Sequence, residues 1–197
     1  MRGGATVSEQ LVFAFHDKTL YRFERADTHT ASAFGGPMVS EVVGVKYGPK
    51  PLHMIARLGS LHIPGLGASY LSEIPLIYGM YYSGCDLFYR IEYGHKIELQ
   101  RLDPSQSMDQ WPYSDFPPLL PYVPLRLTDV PRGASYDEFA AMFPNMSDQQ
   151  PADLVVAVPP PATVGVSLWG IGDGDGVTIV FECDLEAKLV HAHNVTT

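Results

Sequence analysis

The chain has 197 residues, 46% hydrophobic and 18% charged, a balance typical of a globular rather than a disordered protein. No apolar run approaches the roughly 20 residues that span a bilayer, and the first ten residues lack the apolar stretch of a secretory signal. The net charge of −9 argues against a nucleic-acid partner, because phosphate binding requires cations. We therefore expect a cytoplasmic protein without a membrane or nucleic-acid partner, forming one globular domain over residues 1–197.

Strand signals dominate the first part of the chain. Residues 11–16 and 19–24 are rich in apolar and aromatic side chains and flank Asp17-Lys18, which predicts an opening hairpin. Further apolar segments lie near residues 39–45 and 52–58, and a loop with glycine and proline follows at residues 63–67.

Three strands are predicted next to one another as a meander, at residues 76–82, 85–92 and 96–102. Ser83-Gly84 fits a two-residue turn, which would pair the first two strands directly and set Tyr82 opposite Cys85 and Tyr78 opposite Tyr89.

The second turn of the meander determines which side chains share a face. A three-residue turn at residues 93–95 sets Ile91 opposite Ile97 and Arg90 opposite Glu98, so apolar residues meet on one face and opposite charges on the other. A two-residue turn would mix the faces, because a shift of one residue inverts every side chain. The sequence therefore predicts the three-residue turn.

The segment at about residues 103–124 is unusually rich in proline and aromatic residues and is predicted to be a long loop. Its prolines lack backbone donors, which argues against a central strand. The loop either covers one end of the sheet or presents a rigid binding surface. On the second interpretation, the candidate binding residues are Trp111, Tyr113, Phe116 and Tyr122.

One helix and four more strands are predicted in the last third of the chain. Ser135 and Glu138 have the spacing of a capping box, and Pro144 would end the helix after Phe143. The strand predictions are residues 153–158, 163–169, 177–183 and 187–192. The fold class is therefore α+β and strand-rich, an antiparallel twisted sheet with one or two short helices, with a mostly-β fold as the alternative.

Metal-ligand patterns are incomplete in the sequence. Asp173 and Asp175 lie among glycines, but an EF-hand loop counted from Asp173 lacks its central glycine, so this segment is interpreted as a turn. His191 and His193 would project from the same face of a strand, yet no third ligand stands at a recognisable spacing. A solvated edge or tail is favoured there, and we expect no bound metal and no cofactor.

No catalytic motif is complete, and no catalytic residue is predicted. Ser167 lacks the final glycine of a nucleophile elbow, and the glycine-rich segments complete neither a dinucleotide-binding nor a phosphate-binding loop. His53 and His62 are isolated and are interpreted as structural. Cys85 and Cys183 have no metal-binding or redox spacing and are predicted to be free, buried thiols.

The segment GPKPLHMIARL at residues 48–58, the IPGL that follows at residues 63–66 and the strands up to about residue 92 resemble the YwqG-like family of bacterial proteins. The resemblance implies a strand-rich α+β fold of unassigned activity. It also implies a role as an immunity or accessory protein of a bacterial toxin system.

Protein binding is the leading functional interpretation of the sequence. The acidic charge and the aromatic segment favour a non-catalytic protein that binds a basic protein partner such as a toxin domain. The alternatives are a small hydrolase-type enzyme with a pocket of Asp, Glu, His and Tyr side chains, and a ligand-binding β module that uses the aromatic loop.

Overall fold

The computed structural model describes residues 9–45, 52–64, 66, 71–82, 84–93, 96–104, 117–128, 130–162 and 176–196. In these residues, twelve strands form one sheet and a short helix packs on it. The strands are β1 Gln10–His16, β2 Thr19–Arg25, β3 Ser32–Gly36, β4 Val42–Gly44, β5 His53–Gly59, β6 Glu73–Tyr78, β7 Cys85–Ile91, β8 Ile97–Pro104, β9 Leu120–Leu127, β10 Leu154–Val158, β11 Val177–Asp184 and β12 Leu189–Thr196, and the helix is α1 Tyr136–Ala140.

The strand order in the sheet is β4-β8-β7-β12-β11-β10-β1-β2-β9-β3-β5-β6. The strand-rich prediction is confirmed in its mostly-β form. The prediction of an antiparallel sheet is wrong at one end, because β4 runs parallel to β8 with Val42 opposite Ile97 and Gly44 opposite Leu99. No hairpin joins these two strands, so turn geometry does not impose an antiparallel direction on them.

The opening hairpin is confirmed. β1 and β2 pair antiparallel up to His16 opposite Thr19, which leaves Asp17 and Lys18 as a two-residue turn. Both turn residues have left-handed backbones, with φ of 46° and 54°. A turn with positive φ at both positions matches the twist of the flanking strands, so the local sequence determines this register.

The second hairpin of the meander, β7 with β8, is also confirmed. Ile91 lies opposite Ile97 and Arg90 opposite Glu98, as the parity of the faces predicts. A bulge that was not predicted omits Gln100 from the pairing. The bulge shifts the alternation of β8 by one residue, so the polar side chains that follow it on β8 lie on the outer face of the sheet.

The prediction that β6 and β7 form the first hairpin of the meander is wrong. β6 pairs with β5 instead, at the far end of the sheet. The sheet curls so that β6 nevertheless lies against the inner side of β7 and β12. Tyr89 Oη donates to Pro75 O at 2.8 Å and accepts from Ile77 N at 3.3 Å. Tyr78 Oη donates to Asn194 Oδ1 at 2.9 Å. The Tyr89 hydroxyl thus binds two backbone groups of β6, and the Tyr78 hydroxyl connects β6 to β12.

The predicted loop at residues 103–124 is too long at both ends. β8 continues to Pro104, and β9 begins at Leu120 and lies between β2 and β3, so the argument against a central strand is wrong there. The pairing of β9 with β2 begins at Leu125, and Pro124 lies just beyond it with its carbonyl accepting from Ala26 N at 2.8 Å. Proline has no backbone N–H to donate, and Pro124 lies at the end of the β2–β9 pairing, where no donor is needed.

The helix α1 covers part of the outer face of the sheet. The predicted capping box is present, with Ser135 N donating to Glu138 Oε2 at 2.8 Å and Glu138 N donating to Ser135 Oγ at 3.2 Å. Phe139 is fully buried against Phe15, and the helix ends at Ala140 rather than at the predicted residue 143. Within the described ranges, no helix is long and apolar enough to cross a membrane.

The last three strands confirm most of the predicted tail. Predicted residues 153–158, 177–183 and 187–192 correspond to β10, β11 and β12. The predicted strand at residues 163–169, Ser167 within it and the turn at Asp173 and Asp175 lie outside the described residues.

Both cysteines are free and buried on the inner side of the sheet, as predicted. Burial raises the pKa of the Cys85 thiol to about 11 and raises that of Cys183 well above its usual range. Both thiols are therefore protonated at neutral pH, and they pack as small apolar side chains.

Candidate metal centre

Three potential metal ligands project from the outer face of the sheet, on neighbouring strands. Side chains alternate between the faces of a strand, so His191 and His193 point outward from β12 while Val190 and Ala192 point into the core. Glu182 on β11 lies directly opposite His191. β12 lies between β7 and β11, so the predicted solvated edge or tail is wrong.

The β11–β12 turn brings the three side chains together. Asp184 lies opposite Leu189 and leaves four residues in the turn. The Asp184 carboxylate accepts from Ala187 N at 2.8 Å, and Lys188 has a left-handed backbone with φ of 55°. This local geometry fixes the register that sets Glu182 opposite the histidine pair.

The ligand atoms already lie at distances close to those of a coordination sphere. Glu182 Oε2 is 3.0 Å from His191 Nδ1, and Glu182 Oε1 is 3.2 Å from His193 Nε2. One ligand atom from each of the three residues lies within 4.8 Å of the other two. A tetrahedral ion with bonds of about 2.1 Å holds its ligand atoms about 3.4 Å apart. Binding an ion would therefore require side-chain rotations that bring the three ligand atoms closer together.

The second ring nitrogen of His191 has a carboxylate partner of its own. Asp86 Oδ1 on β7 lies 3.2 Å from His191 Nε2. A histidine that ligates a metal through one nitrogen commonly donates the N–H of the other to a carboxylate, which fixes its tautomer and orientation. With Nδ1 directed at Glu182, His191 has this arrangement.

Aromatic stacking also fixes the plane of the His191 ring. Phe88, its neighbour on β7, stacks on it with centroids 4.1 Å apart and an interplanar angle of 6°. The guanidinium of Arg101 on β8 lies 4.0 Å from the Phe88 centroid. On β12 itself, the His193 ring stacks on His191 at 4.8 Å. Contacts on several sides thus hold the imidazole in place before any ligand arrives.

The electrostatics of the cluster favour an ionised carboxylate beside the imidazoles. Burial would raise the pKa of Glu182, but its hydrogen bonds with His191 and His193 outweigh that effect and hold the pKa at about 2. Burial would lower the pKa of His191, and its contacts with Glu182 and Asp86 outweigh burial and raise it. Glu182 is therefore a carboxylate at neutral pH, and a metal ion competes only with protons on the rings.

An open cleft of about 260 Å³ borders the cluster. Glu182 and His191 line it together with Pro151, Ala152 and Asp184. On the other side, Val180 lies opposite His193 and belongs to the apolar cluster under helix α1. Free space next to the ligands therefore lies on the cleft side, where a small molecule could approach a bound ion.

The predicted binding residues are not part of this cluster. Trp111, Tyr113 and Phe116 lie outside the described residues. Tyr122 lies on β9 with 37% of its surface exposed, and its hydroxyl is 3.2 Å from His29 Nδ1.

The two histidines interpreted as structural both have hydrogen-bond partners within the protein. His53 Nε2 donates to the Pro117 carbonyl at 2.8 Å, and burial lowers the pKa of His53. His62 Nδ1 lies 2.7 Å from the hydroxyl of the buried Ser32. The hydrogen bond of His53 agrees with a structural role.

Glu182 and Asp86 are the site residues that the sequence prediction missed. The short turn after β11 could have revealed Glu182, because pairing the two strands across four turn residues sets it opposite His191. No third ligand stands at a recognisable spacing in the sequence, and the structure places the Glu182 carboxylate beside both histidines. Asp86 gave no comparable signal, because β7 and β12 are distant in sequence and meet only in the folded sheet.

Two imidazoles and one carboxylate form a donor set that suits zinc and related divalent transition metals. Three protein ligands leave a coordination position open, as in catalytic rather than structural zinc sites. No family model, curated protein or solved structure matches this chain.

Proposed function

We propose that this protein binds one divalent transition-metal ion of the zinc class between Glu182, His191 and His193. The convergence of three ligand atoms from adjacent strands within 4.8 Å carries the proposal. The Asp86 carboxylate on the far side of the His191 ring supports the proposal. Hydrogen bonds from the two histidines to Glu182 do not by themselves need a second group that orients this ring, whereas a metal ligand commonly has one.

The ion would act on a small molecule in the adjacent cleft. An ion with three protein ligands has a free position for water or a substrate oxygen, and zinc in such a setting polarises carbonyl or phosphoryl groups and lowers the pKa of its bound water. This supports the alternative of a small hydrolase-type enzyme with a pocket of Asp, Glu, His and Tyr side chains, to which we add a dependence on the metal ion. The orientation of His191 before binding would reduce the cost of forming the reactive geometry.

Zinc titration of the metal-free protein by calorimetry tests the proposal. We expect one zinc ion per chain, and we expect the His191→Ala/His193→Ala double variant to lose more than about 100-fold in affinity, since orienting groups alone contribute 10–100-fold. Magnesium should not bind appreciably, because it prefers oxygen ligands.

The matched control is His29→Ala, which removes an exposed histidine in the segment between β2 and β3, away from the metal ligands. It should bind zinc as the wild type does. Equal zinc affinity in the wild type and the double variant would contradict the proposal. So would a loss of affinity in the His29 control as large as that in the double variant.

Protein binding through the aromatic segment stays a separate prediction. Of its four proposed anchors, only Tyr122 falls in the described part of the chain, and its exposed ring packs near His29. The metal centre lies on β11 and β12 and does not depend on that segment, so the two functions can be tested independently.

A further inference from the structure

A second and larger cleft opens at the end of the sheet that carries the β1–β2 turn. Its volume is about 1100 Å³, and it is bounded by that turn, by the loop after β5 and by the segment after β9. Tyr21, which points to the inner side of the sheet, lines it. The cleft is therefore the place where the curled sheet opens to solvent, a common position for ligand sites in closed or curled sheets.

Two cations come together at the rim of this cleft. Lys18 lies on the β1–β2 turn, and Arg132 lies on the neighbouring segment, where it forms an antiparallel bridge with Thr19. Gly133 N donates to the Lys18 carbonyl at 2.8 Å and fixes the two backbones side by side. Among the described lining residues, Asp17 alone carries a carboxylate. The described lining thus carries two cations and one carboxylate, in a chain whose net charge is −9.

Neutral hydrogen-bond donors lie deeper in the same cleft. The Ser32 hydroxyl accepts from Gly59 N at 3.0 Å and lies 2.7 Å from His62 Nδ1. When this hydroxyl donates its hydrogen to Nδ1, the imidazole hydrogen is on Nε2, where it can donate to a ligand. Burial lowers the pKa of His62 and raises that of Tyr21, so both side chains are neutral donors near pH 7.

We propose that this cleft binds a small phosphorylated molecule, with Lys18 and Arg132 holding the phosphate and with His62 and Tyr21 donating to its polar body. Arginine forms paired hydrogen bonds with phosphate oxygens, and lysine adds a flexible point charge. The volume is large enough for more than a free phosphate.

Inorganic pyrophosphate is the probe, titrated by calorimetry into protein freed of metal, so that the metal centre cannot bind it through an ion. We expect one molecule to bind, more weakly as sodium chloride is raised. The Lys18→Asn/Arg132→Gln double variant should bind at least tenfold more weakly. Asparagine tolerates the left-handed backbone of residue 18, so the turn is retained.

The control is the Lys188→Asn/Arg126→Gln double variant, which makes the same two changes elsewhere. Lys188 also has a left-handed backbone, with φ of 55°, and Arg126 pairs with Glu24 on the sheet. It should bind pyrophosphate within about twofold of the wild type. The proposal is overturned if the wild type does not bind, if both double variants weaken equally, or if the His191→Ala/His193→Ala variant loses the binding instead.

Discussion

Tyr89→Phe is expected to lower the free energy of unfolding by about 2–4 kcal/mol. Tyr89 is fully buried, and its hydroxyl is the partner of both Pro75 O and Ile77 N on β6. Removing one oxygen leaves a buried acceptor and a buried donor without this partner, each at a cost of about 1–3 kcal/mol. Urea denaturation followed by circular dichroism measures the change.

Tyr93→Phe is the matched control, because it removes the same atom from a side chain that is 99% exposed. Its stability should stay within about 0.5 kcal/mol of the wild type. A Tyr89→Phe protein as stable as this control would show that the packing of β6 against β7 is not as described.

Asp86→Asn is expected to weaken zinc binding by about 10–100-fold while leaving the three ligands in place. The amide keeps the size of the side chain but loses the charge that orients the His191 ring through Nε2. Competition with a chromophoric chelator gives the affinities of wild type and variant under one set of conditions.

The Asp103→Asn variant tests whether Asp86 acts by orienting the His191 ring or only through its negative charge. Asp103 lies directly opposite Asp86 on β8 and pairs with Arg101, so its variant makes the same charge change next to the site. We expect it to change zinc affinity by less than about threefold, because exposed charges are screened. If both variants lost affinity equally, Asp86 would act only through its charge and would not be a positioning residue.

Local signals in the sequence predicted the parts of the fold that are formed by neighbouring segments. The Asp17-Lys18 turn, the face parity of β7 with β8 and the capping box at Ser135 all depend on a few adjacent residues, and all are confirmed. In each case, turn geometry or side-chain alternation left one satisfactory arrangement.

Pairings between distant segments were not predictable in the same way. Ser83-Gly84 is compatible with a tight turn, yet β6 pairs with β5, and the Tyr89 hydroxyl of β7 binds the backbone of β6 instead. The prolines of β9 argue against a central strand when only the sequence is considered. The sequence does not show that the pairing of β2 with β9 ends at Leu125, next to Pro124. These outcomes depend on how the sheet curls, which no short window of sequence specifies.

The proposed metal site lies between these two cases. The spacing of His191 and His193 places them on one face of a strand, but a solvated edge or tail is the interpretation that the sequence favours there. Glu182 was within reach of the same reasoning, because a four-residue turn separates its strand from theirs. Asp86 and Phe88 come from β7, about a hundred residues earlier in the chain. The ligands are therefore local in sequence, whereas the groups that orient them depend on the whole sheet.

Zinc K-edge X-ray absorption on the protein loaded with one equivalent of zinc tests the metal centre most directly. We expect a four-coordinate ion with scattering from two imidazoles, one carboxylate oxygen and one further light atom, at about 2.0–2.2 Å. In the His191→Ala protein, the imidazole scattering should fall from two rings to one. A spectrum with sulfur ligands, with six oxygen ligands and no imidazole, or unchanged in the His191→Ala protein would contradict the assignment of the site.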